Sequence, residues 1–341
     1  MTPESTLDVL VDARWPAGTG IGRMAGLYRT AAPVGMVLRD LDIRCRIGSP
    51  RSPWAVDRAL AQRPPSVARA VFWNPGFVPP ASRRVPSVVT VHDLTHRHHY
   101  TVAHRLYYDT VLRPLYRRCD LVVCISRHTR DEFLEWSGMP EARVAIVPNA
   151  IAPDFAAHSA PLPEHKPFLF YAGNRRAFKN VPTMVRAFVA SRLPQEGFEL
   201  ALTGAPDEAL LAIARASGVE SSLRFLGFLT DAEVAAHYRA ATCVPYLSRY
   251  EGFGLPILES WATDAPVLLA NASCLPEVGG DAALYVEPDD IEQIAQGMRD
   301  LCLDGTLRQT LIERGRERLR LFDPSVSAAK LWRAVADVAA T

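Results

Sequence analysis

The stretch S-R-Y-E-G-F-G-L-P-I-L-E-S-W, residues 248–261, decides the fold, and it follows the apolar run 244–247. Gly252 and Gly254 permit an open turn whose backbone N–H groups can face a ligand. Pro256 suits the first position of a helix, where the missing N–H costs nothing. The unsatisfied N–H groups and positive dipole end of such a helix make a ready anion site just beyond the turn. Glu251 stands before the turn and Glu259 eight positions later. One carboxylate on each side of an anion cradle suits a ligand whose hydroxyl-bearing rings flank a diphosphate. A bland strand-to-helix connection with two solvated acids is the competing reading, and the length of the matching string weighs against it.

Outward from this point, short β-branched runs alternate with helical patterns, as in βαβ units feeding a parallel sheet. The first half predicts strands over 7–11, 43–47, 70–73, 88–91, 121–125 and 144–147, with helices over 105–118 and 129–136 among those between. A second series starts afresh at 168–171, 200–203, 223–225, 243–246, 267–270 and 283–285. Between the series, 156–167 is rich in Pro, Ala and His without periodicity and reads as a linker. The expected fold class is α/β, with two doubly wound Rossmann-like domains facing across a cleft, ligands binding at the carboxyl edges of the strands. Expected limits are 1–160 for an acceptor-binding domain and 161–325 for a nucleotide-sugar-binding domain. A C-terminal helix, 326–341, is expected to pack back on the first.

At 341 residues the chain suits two domains of ordinary size. Hydrophobic residues at 48%, charged residues at 22% and a net charge of +1 describe a globular protein with no electrostatic bias toward nucleic acid. Only three of the 38 basic residues are lysine, which draws attention to Lys179. Six scattered cysteines form no C-x-x-C pair, so neither zinc nor a disulfide framework is expected. With no apolar leader and no run of about 20 apolar residues, a cytoplasmic protein is expected.

The string G-N-R-R-A-F-K-N, 173–180, follows the strand over 168–171 and sets a lysine six positions after a glycine. F-L-G-F-L-T-D spans 225–231, and T-G-I-G-R, V-H-D-L, I-S and V-P-N begin at 19, 91, 125 and 147. Together with the paired glutamates around G-F-G-L-P, these strings resemble glycosyltransferase family 4, a retaining family with the GT-B fold, over nearly the whole chain. The resemblance implies a hexosyltransferase that uses a nucleotide-diphosphate sugar as co-substrate, with no cofactor and no metal. In it Lys179 and a neighbouring arginine, Arg175 or Arg176, meet the diphosphate together with backbone groups of Gly173, Gly252, Phe253, Gly254 and Leu255. Glu259 holds the donor ribose, Glu251 contacts the transferred hexose, and Phe228 and Leu229 border the base. Asn174 stands where the family often has arginine. Members that resemble mannosyltransferases of surface-polysaccharide assembly read Gly-Asn there, which points to GDP-mannose as donor. The implied acceptor is a glycan or lipid-diphosphate-linked glycan.

In the first half, G-T-G-I-G-R, 18–23, invites a dinucleotide fingerprint, with Asp40 and Asp42 about twenty residues on. The third glycine would have to be Arg23, and the loop over 12–17 is long for a tight strand-to-helix turn. Gly20 and Gly22 are instead read as a loop closing over the donor diphosphate. His92, at the end of a predicted strand, is placed near the transferred sugar by the resemblance. Asp93 orients it or caps the next segment. Ser126 is a good helix N-cap and borders the acceptor side. His96 to His99 and the basic, aromatic helix over 105–118 suggest peripheral contact with the inner membrane face or a lipid diphosphate, against an ordinary solvated face. Asp289 and Asp290 sit at a helix start and are taken as structural. Two rival functions are a non-catalytic nucleotide-sugar-binding partner in polysaccharide assembly and an NAD-dependent oxidoreductase. The intact lysine and carboxylates argue against the first, and Arg23 against the second.

Overall fold

A computed structural model of the chain describes residues 6–63, 69–152, 155, 160–163 and 165–340. The chain divides into two compact units, Met1–Ala150 with Pro324–Thr341, and Ile151–Asp323. The division falls earlier than the expected 160/161 boundary, and much of the expected linker (156–159 and 164) lies outside the described residues.

In the first unit, β1 (Leu7–Val11), β2 (Met36–Asp40), β3 (Ala70–Asn74), β4 (Ser87–Val91), β5 (Leu121–Cys124) and β6 (Val144–Ile146) form one parallel sheet. The order is β2-β1-β3-β4-β5-β6. β1, β3 and β4 are buried along their whole length, as parallel strands covered on both faces must be. Chain order reverses between β1 and β3, so the switch point of this sheet lies at the carboxyl ends of those two strands. The helix Pro324–Ala340 packs on β3, β4, β5 and the helix Gly20–Thr30. Its Trp332 is 1% exposed, meets Trp73 edge-on at 5.2 Å and donates from Nε1 to the Tyr28 carbonyl at 3.0 Å.

Two expectations are corrected here. No strand forms over 43–47; the second strand is β2, Met36–Asp40. It is an edge strand that pairs only with β1, and its mostly exposed M-V-L-R-D carries a weaker apolar signal than the following loop. Ile43 is buried from that loop without joining the ladder. Nor is 105–118 one helix: Val102–Tyr107 and Arg113–Tyr116 are separated by a π-helical turn, Tyr108–Leu112. Pro114 has no N–H and crowds the carbonyl four residues before it, which a widened turn accommodates.

In the second unit, β7 (Phe168–Tyr171), β8 (Glu199–Leu202) and β9 (Leu223–Phe225) form one parallel sheet. β10 (Val244–Tyr246), β11 (Val267–Ala270) and β12 (Leu284–Val286) form another. A parallel bridge between Leu169 and Cys243 joins them, with Phe170 N–H donating to Cys243 O at 3.0 Å. The resulting sequence β9-β8-β7-β10-β11-β12 is the Rossmann order, and its switch point lies at the carboxyl ends of β7 and β10. Five of the six cysteines are buried, Cys124 fully, and burial pushes the Cys119 thiol up to about 12, as befits small hydrophobes. No helix among the described residues is long and apolar enough to cross a membrane.

Candidate active site

Both central strands of the second unit deliver a charged residue to their switch point. After β7, a 3-10 turn over Ala177–Lys179 runs into the helix Val181–Ala190 through Asn180, which is left-handed at φ +60°. Asparagine tolerates that conformation better than most residues. Its Nδ2 donates to the Pro288 carbonyl at 2.6 Å, fixing the reversal that aims Lys179. After β10, Gly252 and Gly254 lead into the helix Leu255–Ala262, with Gly254 as N-cap at φ +100°. Pro256 therefore sits at the second helical position, one later than expected, still inside the turn where an N–H has no helical partner.

Lys179 Nζ donates to Glu251 Oε1 at 2.5 Å and to Tyr246 Oη at 3.1 Å, and the Tyr246 hydroxyl donates to the same carboxylate oxygen at 2.7 Å. The two charged side chains are only 13% and 11% exposed, so little water screens them. Burial and the Glu251 charge push the Tyr246 hydroxyl well up from its ordinary value, so it stays protonated and remains a donor. The Glu251 N–H donates to Ser273 Oγ at 3.0 Å, which ties its backbone to the loop after β11. Tyr246 went unnoticed in the sequence. Its signal was its place, the last residue of β10, at the edge where this fold binds ligands.

Glu259 lies half-buried on the same helix and accepts at 3.5 Å from Tyr238 Oη. In the loop after β7, a Cβ at Gly173 would stand 2.9 Å from Tyr171 Oη, so the position excludes larger residues. Gly173 N–H donates to Thr203 Oγ1, and Tyr171 Oη donates to the Asn174 carbonyl at 2.7 Å. Asn174 Oδ1 accepts from the Arg176 N–H at 3.2 Å, and the Arg176 side chain is exposed. The Arg175 guanidinium is engaged within the unit: it donates to the carbonyls of Ala205 and Thr203 and lies over the Phe225 ring at 4.9 Å. Phe228 is 93% exposed beside half-buried Leu229. The backbones of Gly204 and Gly227 bond each other on either side of that loop. Asp289 pairs with Arg249, and Asp290 caps the helix Ile291–Leu303 by accepting from Gln293 N–H at 2.9 Å.

In the first unit, Thr19 caps the helix Gly20–Thr30 by accepting from Gly22 N–H at 3.0 Å. A Cβ on Gly22 would lie 1.9 Å from the Pro16 carbonyl oxygen, so glycine is required there by close packing. His92 Nε2 is 2.7 Å from the Pro75 carbonyl. A carbonyl only accepts, so Nε2 carries the proton and Nδ1 is the acceptor of the neutral ring. Burial holds its pKa below the ordinary value, opposed by that hydrogen bond and by the Asp93 charge. Asp93 accepts from Thr95 N–H at 2.8 Å, two residues on, just ahead of the short helix Thr95–His98, whose N-cap is Leu94. Ser126 caps the helix Arg127–Ser137 through Thr129 N–H, and Thr129 Oγ1 donates to the His92 carbonyl at 3.4 Å.

A cation and a carboxylate at a Rossmann switch point, with a glycine-started helix beside them, are what a transferase of phosphate-activated sugars needs. Residues 28–155 match the family model described as glycosyltransferase family 4, and residues 154–318 match glycosyl transferases group 1. The chain belongs to this family of glycosyltransferases and has its GT-B fold, with two Rossmann-like domains. Among relatives, O-antigen chain mannosyltransferase B of Escherichia coli is 27% identical over 270 residues, 74% of this chain and 70% of that protein. A serotype-specific mannosyltransferase of the same organism, WbdA, is 31% identical over 209 residues, 55% of this chain and only 25% of that protein. Solved structures of the same fold include sucrose-phosphate synthase from Thermosynechococcus elongatus, with TM-score 0.75 and 15% identity over 98% of this chain and 99% of that one. WaaG, a glycosyltransferase involved in lipopolysaccharide biosynthesis, aligns with TM-score 0.68 and 18% identity over 96% of this chain and 98% of that one.

Proposed function

We propose that this glycosyltransferase moves a hexose, preferably mannose from GDP-mannose, to a glycan or lipid-diphosphate-linked glycan, retaining the anomeric configuration and using no metal ion or other cofactor. The observation that carries the reading is the Lys179–Tyr246–Glu251 cluster beside the Gly254-capped helix. Breaking a glycosyl–phosphate bond leaves charge on a nucleoside diphosphate. Lys179 and the N–H groups of the helix start are preorganised to receive that charge, which puts protein groups where other enzymes use a metal. Arg176, exposed next to the glycine loop, is the second cation we assign. Glu259 takes the ribose hydroxyls, and Glu251 favours positive charge at the anomeric carbon.

With no nucleophile of the chain assigned, front-face displacement fits. The acceptor oxygen bonds the anomeric carbon, the bond to the diphosphate breaks, and the acceptor proton passes to a phosphate oxygen. Rate then comes from positioning and electrostatics. The mannosyl preference draws on Asn174 and on the relatives that act as mannosyltransferases. A cytoplasmic enzyme touching the inner membrane face suits such an acceptor, and Val102 and Leu106, both strongly exposed beside Arg105, offer a contact.

Thermal shift with GDP-, UDP-, dTDP- and ADP-sugars tests the donor, since a ligand of the native state alone raises the melting temperature. GDP-mannose should give the largest rise and, with acceptor, release GDP in the presence of EDTA. Nucleotide binding without any turnover would overturn the catalytic reading.

A further inference from the structure

Three residues stand at the carboxyl ends of neighbouring strands of the first unit: Asp12 just past β1, Asn74 closing β3 and His92 just past β4. Hydrogen bonds link them. Asp12 is fully buried and accepts from Arg14, at 2.8 Å from Nε and 2.6 Å from Nη2, and from Asn74 Nδ2 at 2.8 Å. Asn74, also fully buried, accepts at Oδ1 from the Gly76 N–H at 2.7 Å. A carboxylate only accepts and a backbone N–H only donates, so the two contacts fix which way the Asn74 amide faces.

The bond from Gly76 N–H to Asn74 Oδ1 closes an Asx turn. The closed ring passes through the carbonyl carbon of Pro75, whose φ the proline ring already restricts. The Asn74 side chain thereby aims the Pro75 carbonyl, and that carbonyl takes the His92 Nε2–H at 2.7 Å. A neutral imidazole has one donor and one acceptor, so this contact leaves Nδ1 as the acceptor of the ring. Trp15 packs against the turn so closely that a Cβ on Gly76 would lie 2.0 Å from its indole. An asparagine that merely closed a turn would need no buried carboxylate behind it, and burying a carboxylate is costly unless it is paired and hydrogen-bonded. Arg14 supplies the pairing, and its Nη1 donates to the Cys45 carbonyl at 2.9 Å, which ties the loop after β2 to the same edge. That edge includes the switch point of the sheet, where ligands of open α/β folds bind.

We propose that Asn74, anchored by Asp12, is a positioning residue for His92: it fixes the orientation of the ring and its Nε2–H tautomer, so that Nδ1 is kept as the acceptor for a substrate hydroxyl. That the hydroxyl belongs to a sugar rests on the glycosyltransferase reading above; the lock on the ring does not.

Two-bond proton–nitrogen NMR spectra of the ligand-free chain read the tautomer, His92 being identified by the signals missing in His92→Gln. Wild type should carry the proton on Nε2. Asn74→Ala loosens the turn and should move the tautomer ratio toward Nδ1–H by roughly 3- to 10-fold, the range of one hydrogen bond. Asp12→Asn is nearly isosteric and exchanges a charge-assisted acceptor for a neutral one, so it should fold and move the ratio the same way by about 2- to 3-fold. Leu60→Ala opens a cavity in the same unit without touching any of these hydrogen bonds; it should lower the melting temperature and leave the ratio alone. In nucleoside diphosphate release, Asn74→Ala should lower kcat by about the factor seen in the ratio, with GDP affinity unchanged by calorimetry. An Nδ1–H tautomer in wild type, an unchanged ratio in Asn74→Ala or Asp12→Asn, or an equal shift in Leu60→Ala overturns the proposal, as does a shifted ratio with kcat unchanged. Absence of turnover in wild type would sink the proposed function and leave the lock on the ring standing on its tautomer data.

Discussion

Lys179 donates to Glu251 and Tyr246, so on the proposed donor reading a diphosphate competes for a cation already in a charge-assisted pair. That competition spares the enzyme an unpaired buried charge between turnovers. Lys179→Ala should lower kcat by roughly 10²- to 10³-fold, the usual cost of removing one preorganised donor to a developing anion, as measured by nucleoside diphosphate release. Glu251→Ala and Glu259→Ala should both lose activity, with nucleotide affinity weakened more in Glu259→Ala; equal affinities by calorimetry would contradict the assigned roles. His92 titrates below its ordinary value because burial disfavours its charged form. The unfolded state therefore binds the proton first, near pH 6.5, and stability falls as pH drops below that point. Urea unfolding between pH 5 and 8 should show a shallower loss of stability in His92→Gln, which keeps a donor for the Pro75 carbonyl without titrating. The sequence made Lys179, Glu251 and Glu259 visible because their spacing about glycines is unusual. Tyr246 was not, since a tyrosine ending an apolar run looks like core until a lysine and a carboxylate converge on its hydroxyl.

Among the elements, two helix starts rely on glycine for different reasons. Gly254 holds φ +100°, and a Cβ there would also press on Ile257 at 3.0 Å and Leu275 at 3.2 Å. Gly254→Ala should cost about 1–3 kcal/mol in stability, read by denaturant melts, and should weaken nucleotide binding because it tilts the N–H groups of the helix start. Gly22, by contrast, has no room for a side chain beside the Pro16 carbonyl, so glycine at this one position is required by packing against its own loop. Buried strands were legible because both their faces are apolar, as in β1, β3 and β4. β2 was not, because an edge strand with three of its five residues exposed looks like a loop. The π turn was hidden for a similar reason: the 3.6-residue pattern runs on through residues 105–118, and one proline carries the only hint of a break.

At the scale of the molecule, each unit has its own sheet, but only the second is built from one continuous stretch of chain. The first borrows Pro324–Ala340, whose Trp332, Leu331 and Val335 belong to the same buried cluster as Val9, Trp73 and Val123. Trp332→Ala should destabilise the first unit by about 3–5 kcal/mol. With two units, unfolding need not be all-or-none, so calorimetry should show the first unit's transition move down while a nucleotide-sensitive transition of the second stays in place. The borrowed helix also sets a schedule. A ribosome makes residues 6–152 before the second unit, yet the part of their sheet face that Leu331, Trp332 and Val335 cover, beside Met24, Ala25 and Tyr28, stays open until the entire second unit has been synthesised. The first-made half thus waits with apolar surface exposed, and slow translation or premature termination anywhere beyond residue 150 would leave it open to aggregation or chaperone capture.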